Sequence, residues 1–154
     1  MSSISSAQAK SLQIKVLDKS HLLLIMDIEK KSFKKPWTHD GYAQLFEQKN
    51  YMGFGVFYGN KMAGFCFFYF VLDELHIVNI AIDPALRRQK LATTLLLYIE
   101  AWAVKKGLKK IFLEVSVENL AGVALYENIG FMRQSRRMKY YPDGKDAILM
   151  VKEL

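Results

Sequence analysis

An apolar strand, a proline, a basic turn and a second apolar segment follow one another in the middle of this chain and limit its fold most strongly. The first segment, Ile77 to Ile82, is nearly all apolar and has the length of a buried strand. Pro84 cannot donate a hydrogen bond to a sheet, so the strand has to end before it. From Leu91 onwards, apolar residues recur at helical spacing. The sequence therefore predicts a strand, a tight turn and a long helix.

The turn between this strand and this helix is strongly basic: Arg87, Arg88 and Lys90 lie within four residues. The first N–H groups of a helix have no partner within the helix, and the helix dipole makes this end positive, which favours a phosphate. Arginine adds charge and can bind an anion through two parallel hydrogen bonds. These features indicate an anion site at the junction. A solvated basic turn is the alternative interpretation.

The length and composition of the chain predict a single globular domain. It has 154 residues, of which 51% are hydrophobic and 13% aromatic, enough for one substantial core. Residues 1–10 are predicted to form a polar tail, and residues 11–154 a single domain. The one cysteine, Cys66, excludes an internal disulfide and lies in an apolar strand, which favours a buried, unreactive thiol. The longest apolar run, Met62 to Leu72, is too short to cross a bilayer.

The chain carries a net charge of +7. Such a surface attracts polyanions, whether a nucleotide cofactor, RNA or a ribosomal surface, and charge alone does not choose among them. His21, His39 and His76 lack metal-ligand spacing, so no metal is expected. Since the N-terminus shows no signal sequence, we expect a soluble, cytoplasmic protein.

The periodicity and turn residues predict the element order β-α-α-β-β-β-α-β-α-β-β, a mixed α/β domain. One parallel connection passes through the central helix, and the front half is antiparallel. The predicted strands are residues 13–17, 53–58, 62–72, 75–82, 111–115, 131–140 and 146–152. The predicted helices begin near residues 18–20, 38, 90 and 119.

Several segments occur in the order found in a known superfamily: Pro36-Trp37-Thr38, Val71 to Glu74, Asn79 to Pro84, Leu113-Glu114-Val115, Asn119, Ala124 to Glu127, Gly130-Phe131, Tyr140 to Pro142 and Asp146-Ala147. Together with the basic turn, they resemble the GNAT superfamily of acetyl-CoA-dependent N-acetyltransferases. The similarity extends from about residue 33 to the end. Within the superfamily the chain resembles the RimI-type enzymes, which acetylate the N-terminal alanine of the eighteenth small-subunit ribosomal protein.

The resemblance implies the GNAT fold, a mixed and mostly antiparallel sheet with two splayed central strands flanked by helices. It also implies acetyl-CoA as co-substrate and no metal. The pantetheine arm would bind along the backbone of the strand before Asp83, and the pyrophosphate in the basic turn. The residues implied for cofactor binding are Ile80, Ala81, Ile82, Arg87, Arg88, Gln89, Lys90, Leu91, Ala92, Thr93 and Asn119.

Glu114 and Tyr126 are the candidate catalytic residues. Glu114 interrupts an apolar strand, where alternation places it on one face with Phe112. It matches the RimI-type general base, although charged strand residues are usually just solvated. Tyr126 would be the general acid, because a phenol stays protonated at neutral pH. A core tyrosine is the alternative interpretation.

The predicted acceptor is the N-terminal α-amine of a protein, with a ribosomal protein implied by the resemblance. Trp37, Tyr140 and Tyr141 would form the walls of the acceptor channel, and simple packing is the alternative for these aromatic residues. Neither direct nucleic-acid recognition nor membrane binding is expected. Another amine acceptor, a non-catalytic acyl-CoA-binding module and a basic RNA-binding protein are the competing functional hypotheses.

The chain departs from the resembled pattern at two positions. Lys90 occupies the first glycine position of the acyl-CoA turn, where a positive φ would cost a lysine about 1 kcal/mol. Ser116 occupies a position where RimI-type chains commonly carry arginine.

Overall fold

The computed structural model describes residues 12–154, and the predicted tail at residues 1–10 lies outside this range. The strands are β1 (Leu12–Val16), β2 (Tyr51–Tyr58), β3 (Lys61–Val71), β4 (Glu74–Ile82), β5 (Lys110–Ser116), β6 (Met132–Arg137) and β7 (Ala147–Glu153). The α-helices are α1 (Leu22–Ser32), α2 (His39–Phe46), α3 (Leu91–Lys105) and α4 (Leu120–Asn128). The predicted order of strands and helices is confirmed.

Local sequence signals explain where these elements begin and turn. The side chain of Thr38 accepts a 3.0 Å hydrogen bond from the Gly41 N–H and so caps α2. Gly59, at φ +59°, makes the two-residue turn between Tyr58 and Lys61, which are paired across β2 and β3. The predicted hairpin at this position is confirmed.

The seven strands form one sheet in the order β1-β2-β3-β4-β5-β7-β6. All neighbours are antiparallel except β4 and β5, which are parallel and connected through α3. This parallel pairing covers only three residues, and it ends where His76 faces Phe112. Because β4 continues to Ile82 and β5 to Ser116, the two strands part and leave a gap in the sheet. The expected splayed strands of the GNAT fold are therefore confirmed.

Two hydrophobic clusters cover the two faces of the sheet. On one face, α3 and α4 pack against alternate residues of β5, namely Ile111, Leu113 and Val115. On the other face, α1 and α2 pack against β3 through Phe65 and Phe67. The predicted alternation on β5 is confirmed, because these three residues are buried while Phe112 and Glu114 on the opposite face are only partly buried.

The last strands differ from the prediction at one important place. β6 ends at Arg137 rather than Tyr140. Lys139 has a φ of +49°, and its N–H donates a 2.8 Å hydrogen bond to Asp146 Oδ1. This left-handed residue turns the chain out of the strand, since a continuing strand needs an extended backbone. Tyr140 and Tyr141 therefore belong to the loop between β6 and β7.

Within residues 12–154, no helix is both long and apolar enough to cross a membrane. The same part of the chain contains no cluster of three or more His, Cys, Asp or Glu side chains that could hold a metal ion.

Candidate active site

A cavity of about 680 Å³ lies at the end of β4, in the part of this strand that is no longer paired with β5. Its walls come from the end of α1, the end of β4, the basic turn, the start of α3, and α4. Ten of the eleven residues predicted to bind the cofactor line it: Ile80, Ala81, Ile82, Arg87, Arg88, Lys90, Leu91, Ala92, Thr93 and Asn119. Gln89 is the exception, and its Oε1 accepts a 3.4 Å hydrogen bond from Tyr58.

The basic turn has an unusual backbone. Arg88 and Lys90 have φ values of +66° and +59°, in the left-handed region that glycine adopts most readily. Lys90 thus adopts a left-handed conformation, which explains why the turn that this sequence resembles has glycine at the same position. The Lys90 carbonyl accepts the first backbone hydrogen bond of α3, from the Thr94 N–H at 3.0 Å. Arg87 Nε donates a 3.3 Å hydrogen bond to the Ile82 carbonyl, which holds the turn against the end of β4.

Tyr126 enters the cavity from α4. The Asn119 side chain caps this helix by accepting a 2.9 Å hydrogen bond from the Gly122 N–H. The Tyr126 ring is buried and packs edge-on against Phe131, with 6.0 Å between ring centroids. Burial raises the pKa of Tyr126, so its hydroxyl keeps its proton throughout the neutral range. Tyr126 is thus a core residue that also lines the cavity.

Glu114 lies outside this cavity, among tyrosines on the other face of the sheet. Its Oε2 is buried without a hydrogen-bond partner, and its Oε1 lies 3.7 Å from Arg137 Nη2. Burial, followed by the Glu114 charge, raises the pKa of Tyr140. Burial, and to a smaller extent the Glu114 charge, also contribute to the raised pKa of Tyr69. A carboxylate with one unpaired oxygen is therefore available to a further donor.

Tyr141 is electrostatically coupled to both candidate catalytic residues. Burial, followed by the nearby Glu114 carboxylate, raises the pKa of Tyr141 to about 12. Tyr141 also contributes to the raised pKa of Tyr126, after burial and Cys66. Electrostatic effects thus link Tyr141 with both Glu114 and Tyr126, although these two residues are on opposite faces of the sheet.

Trp37 contacts residues of helices α1 and α2. Its ring packs on Tyr42 at 5.2 Å between centroids, and its backbone N–H donates a 2.9 Å hydrogen bond to Glu29 Oε2. The loop that carries Trp37 is therefore attached to the buried carboxylate of Glu29 on α1.

The sequence reasoning missed several residues at or near the site, among them cavity-lining Leu86, Ala121, Gly122 and Leu125. Ser32 and Phe33, at the end of α1, line the cavity. Asn79, one residue before the cavity wall on β4, donates a 2.9 Å hydrogen bond to Glu29. Glu29 is an acidic residue on the apolar side of α1. This feature of the sequence was the available signal that Glu29 is buried with a polar partner, here Asn79. Nothing in the local pattern distinguishes Ser32 from an ordinary helix end.

The model of the acetyltransferase (GNAT) family matches residues 22–131 of this chain, well over half of its length. The chain therefore belongs to the GNAT acetyltransferase family. It is an acetyl-CoA-dependent N-acetyltransferase.

Two relatives and one solved structure are similar to this chain over most of its length. The sequence is 36% identical to the ribosomal protein bS18-alanine N-acetyltransferase of Escherichia coli strain K12 over 140 residues, covering 89% of this chain and 94% of that one. The same coverage holds at 31% identity for the enzyme of that name from Salmonella typhimurium. The crystal structure of the Escherichia coli enzyme superposes with a TM-score of 0.87 at 35% identity, over 92% of this chain and 93% of that one.

The cavity has the properties that acetyl-CoA requires. Its wall is apolar along Ile80 to Ile82 and cationic at Arg87, Arg88 and Lys90, which matches an uncharged arm joined to a pyrophosphate. It also contains a buried hydroxyl oxygen without a partner, Ser32 Oγ. The residues present therefore fit this co-substrate.

Proposed function

We propose that this enzyme acetylates the N-terminal α-amine of a protein, with alanine as first residue and a ribosomal protein related to bS18 as acceptor. The observation that carries the acceptor assignment is the 36% identity to the Escherichia coli bS18-alanine N-acetyltransferase over 89% of this chain. The unpaired Oε2 of Glu114, beside the gap between β4 and β5, supports it from the geometry.

Acetyl-CoA supplies the acetyl group as a thioester. In the proposed reaction a carbon–nitrogen bond forms at the acceptor amine and the carbon–sulfur bond breaks. Glu114 accepts the proton that the amine loses, directly or through one water. Tyr126, which holds its proton because burial raises its pKa, donates it to the leaving sulfur. Backbone N–H groups between Ile80 and Ile82 would stabilise the charge on the carbonyl oxygen.

The choice of an α-amine follows from acid–base chemistry. An α-amine has a reference pKa of about 7.7–8.0, compared with about 10.4 for lysine. Roughly a tenth or more of the α-amine is already neutral at pH 7, so one carboxylate suffices as base. A lysine acceptor would need about 3 kcal/mol of additional help.

The acetyl acceptor can be identified by mass spectrometry. The protein is mixed with acetyl-CoA and peptides that begin with Ala, Ser or Met, together with a peptide that has a blocked N-terminus and an internal lysine. We expect acetylation at the α-amine of the alanine peptide. Acetylation of lysine alone would refute the proposed acceptor and leave the family assignment intact.

Two variants test the proposed catalytic residues. We expect Tyr126→Phe to abolish transfer and Glu114→Gln to reduce it by 10²-fold or more, with CoA binding retained. Glu118→Gln is a matched control for Glu114, because Glu118 lies just beyond β5 and pairs with Lys145 at the surface. Tyr98→Phe, on the exposed side of α3, is the control for Tyr126. Full activity of Glu114→Gln would refute the role of Glu114.

A further inference from the structure

Ser32 is the last residue of α1, and its hydroxyl has no partner. Among residues 12–154, only two buried side-chain oxygen or nitrogen atoms lack a hydrogen bond, Ser32 Oγ and Glu114 Oε2. Serines in helices commonly bond back to the carbonyl four residues earlier, but Ser32 Oγ makes no such bond. Leaving a buried hydroxyl unpaired costs about 1–3 kcal/mol. Such an atom needs an explanation in a native fold.

The position of Ser32 suggests what could pair with it. Ser32 lines the cavity together with Ile80, Ala81 and Ile82 at the end of β4. The pKa of the neighbouring Lys31 is raised, first by Asp27 and to a smaller extent by the charge of Asp83. Asp83 follows β4 directly. Helix α1 also packs against β4, so its end lies beside the strand that forms the apolar part of the cavity wall.

We propose that Ser32 is a cofactor-binding residue whose hydroxyl donates a hydrogen bond to an oxygen of the pantetheine arm of acetyl-CoA. This inference rests on the acetyl-CoA dependence of the enzyme and not on the identity of the acceptor. The arm carries amide carbonyl and hydroxyl oxygens, which accept hydrogen bonds, and its bound position along Ile80 to Ile82 would face Ser32. Pairing in the complex removes the cost of the unpaired hydroxyl in the free protein.

The test compares Ser32→Ala with the unchanged protein by calorimetry with CoA, with no acceptor present. We expect a three- to tenfold weaker affinity for CoA, the equivalent of one hydrogen bond. We expect equal affinity for 3′-phospho-ADP, which retains the pyrophosphate but lacks the arm. Ser135→Ala, on the exposed strand β6, is the matched control and should bind both ligands unchanged.

Thermal unfolding separates this role from a purely structural one. Because alanine removes an unpaired buried hydroxyl, Ser32→Ala without ligand should be as stable as the parent or more stable. A binding role therefore predicts weaker affinity for CoA without any loss of stability in the free protein. Unchanged CoA affinity, equal losses for CoA and 3′-phospho-ADP, or a destabilised free protein would each overturn the proposal. These results do not depend on which amine is acetylated.

Discussion

The side-chain amide of Asn79 donates a 2.9 Å hydrogen bond to Glu29 Oε1, which links β4 to α1 beneath the candidate active site. Glu29 is only 1% exposed, although it is a carboxylate. Its Oε1 also accepts a 2.6 Å hydrogen bond from the Tyr42 hydroxyl on α2, and its Oε2 accepts one from the Trp37 N–H. A buried carboxylate thus holds together two helices, one loop and the strand that leads into the cavity.

This network leads to a prediction about stability. Glu29→Gln replaces one carboxylate oxygen by an NH₂ group, which cannot accept the hydrogen bond that the oxygen accepted. We expect the free energy of unfolding to fall by about 1–3 kcal/mol, measured by urea denaturation. Asp27→Asn is the matched control on the same helix, since its exposed pair with Lys31 should be worth less than about 1 kcal/mol. Equal losses in the two variants would contradict the prediction.

The left-handed conformation of Lys90 predicts that glycine stabilises the fold at this position. A lysine at φ +59° is strained by about 1–2 kcal/mol, and part of the gain from glycine is offset by its greater freedom in the unfolded chain. We expect Lys90→Gly to raise the free energy of unfolding by about 0.5–1 kcal/mol. Lys90→Ala, which keeps the strain and removes the charge, should give no such gain.

The charge of Lys90 can be tested with the same alanine variant. If the ammonium attracts the pyrophosphate, Lys90→Ala should bind CoA about two- to fivefold more weakly at low ionic strength. The difference should shrink as salt is added, because exposed charges are screened. A salt-independent difference between the two proteins would argue against the electrostatic explanation.

The hydrogen bonds that Asp146 accepts predict that the folded protein loses stability in acid. The Lys139 N–H and then the Arg136 side chain, whose Nε lies 2.6 Å from Oδ2, lower the pKa of this carboxyl below 3.8. A lowered pKa stabilises the fold above the ordinary value, and this stabilisation is lost as the pH falls through the lowered value. We expect the unchanged protein to lose stability below pH 3.8 more steeply than Asp146→Asn, measured by urea denaturation across pH. Parallel curves would contradict this expectation.

Cys66 should not react in the native protein. Its side chain is completely buried, and burial raises the pKa of the thiol, so almost no thiolate forms at neutral pH. We expect no alkylation by iodoacetamide in native buffer and complete alkylation in concentrated guanidinium, as measured by mass spectrometry. Rapid labelling of the native protein would show that β3 opens locally.

Most of the architecture followed from local sequence. The Asp83-Pro84 break, the basic turn and the periodicity from Leu91 predicted the strand, turn and long helix at their observed places. Strand β6 was predicted to end three residues too late, at Tyr140 rather than Arg137. The hydrogen bond that holds Lys139 in a left-handed conformation is accepted by Asp146, seven residues away. A pattern within one strand contains no information about such a partner.

The sequence by itself determined the order of strands and helices and the part of the cavity wall formed by the end of β4, the basic turn and the start of α3. These depend on periodicity, turn residues and ordered motifs along the chain. Only the tertiary structure decided that β4 and β5 separate after His76, that Glu29 is buried against Asn79, and that Ser32 faces the cavity without a partner. These are relationships between residues far apart in the chain, and they are fixed by packing rather than by any local preference.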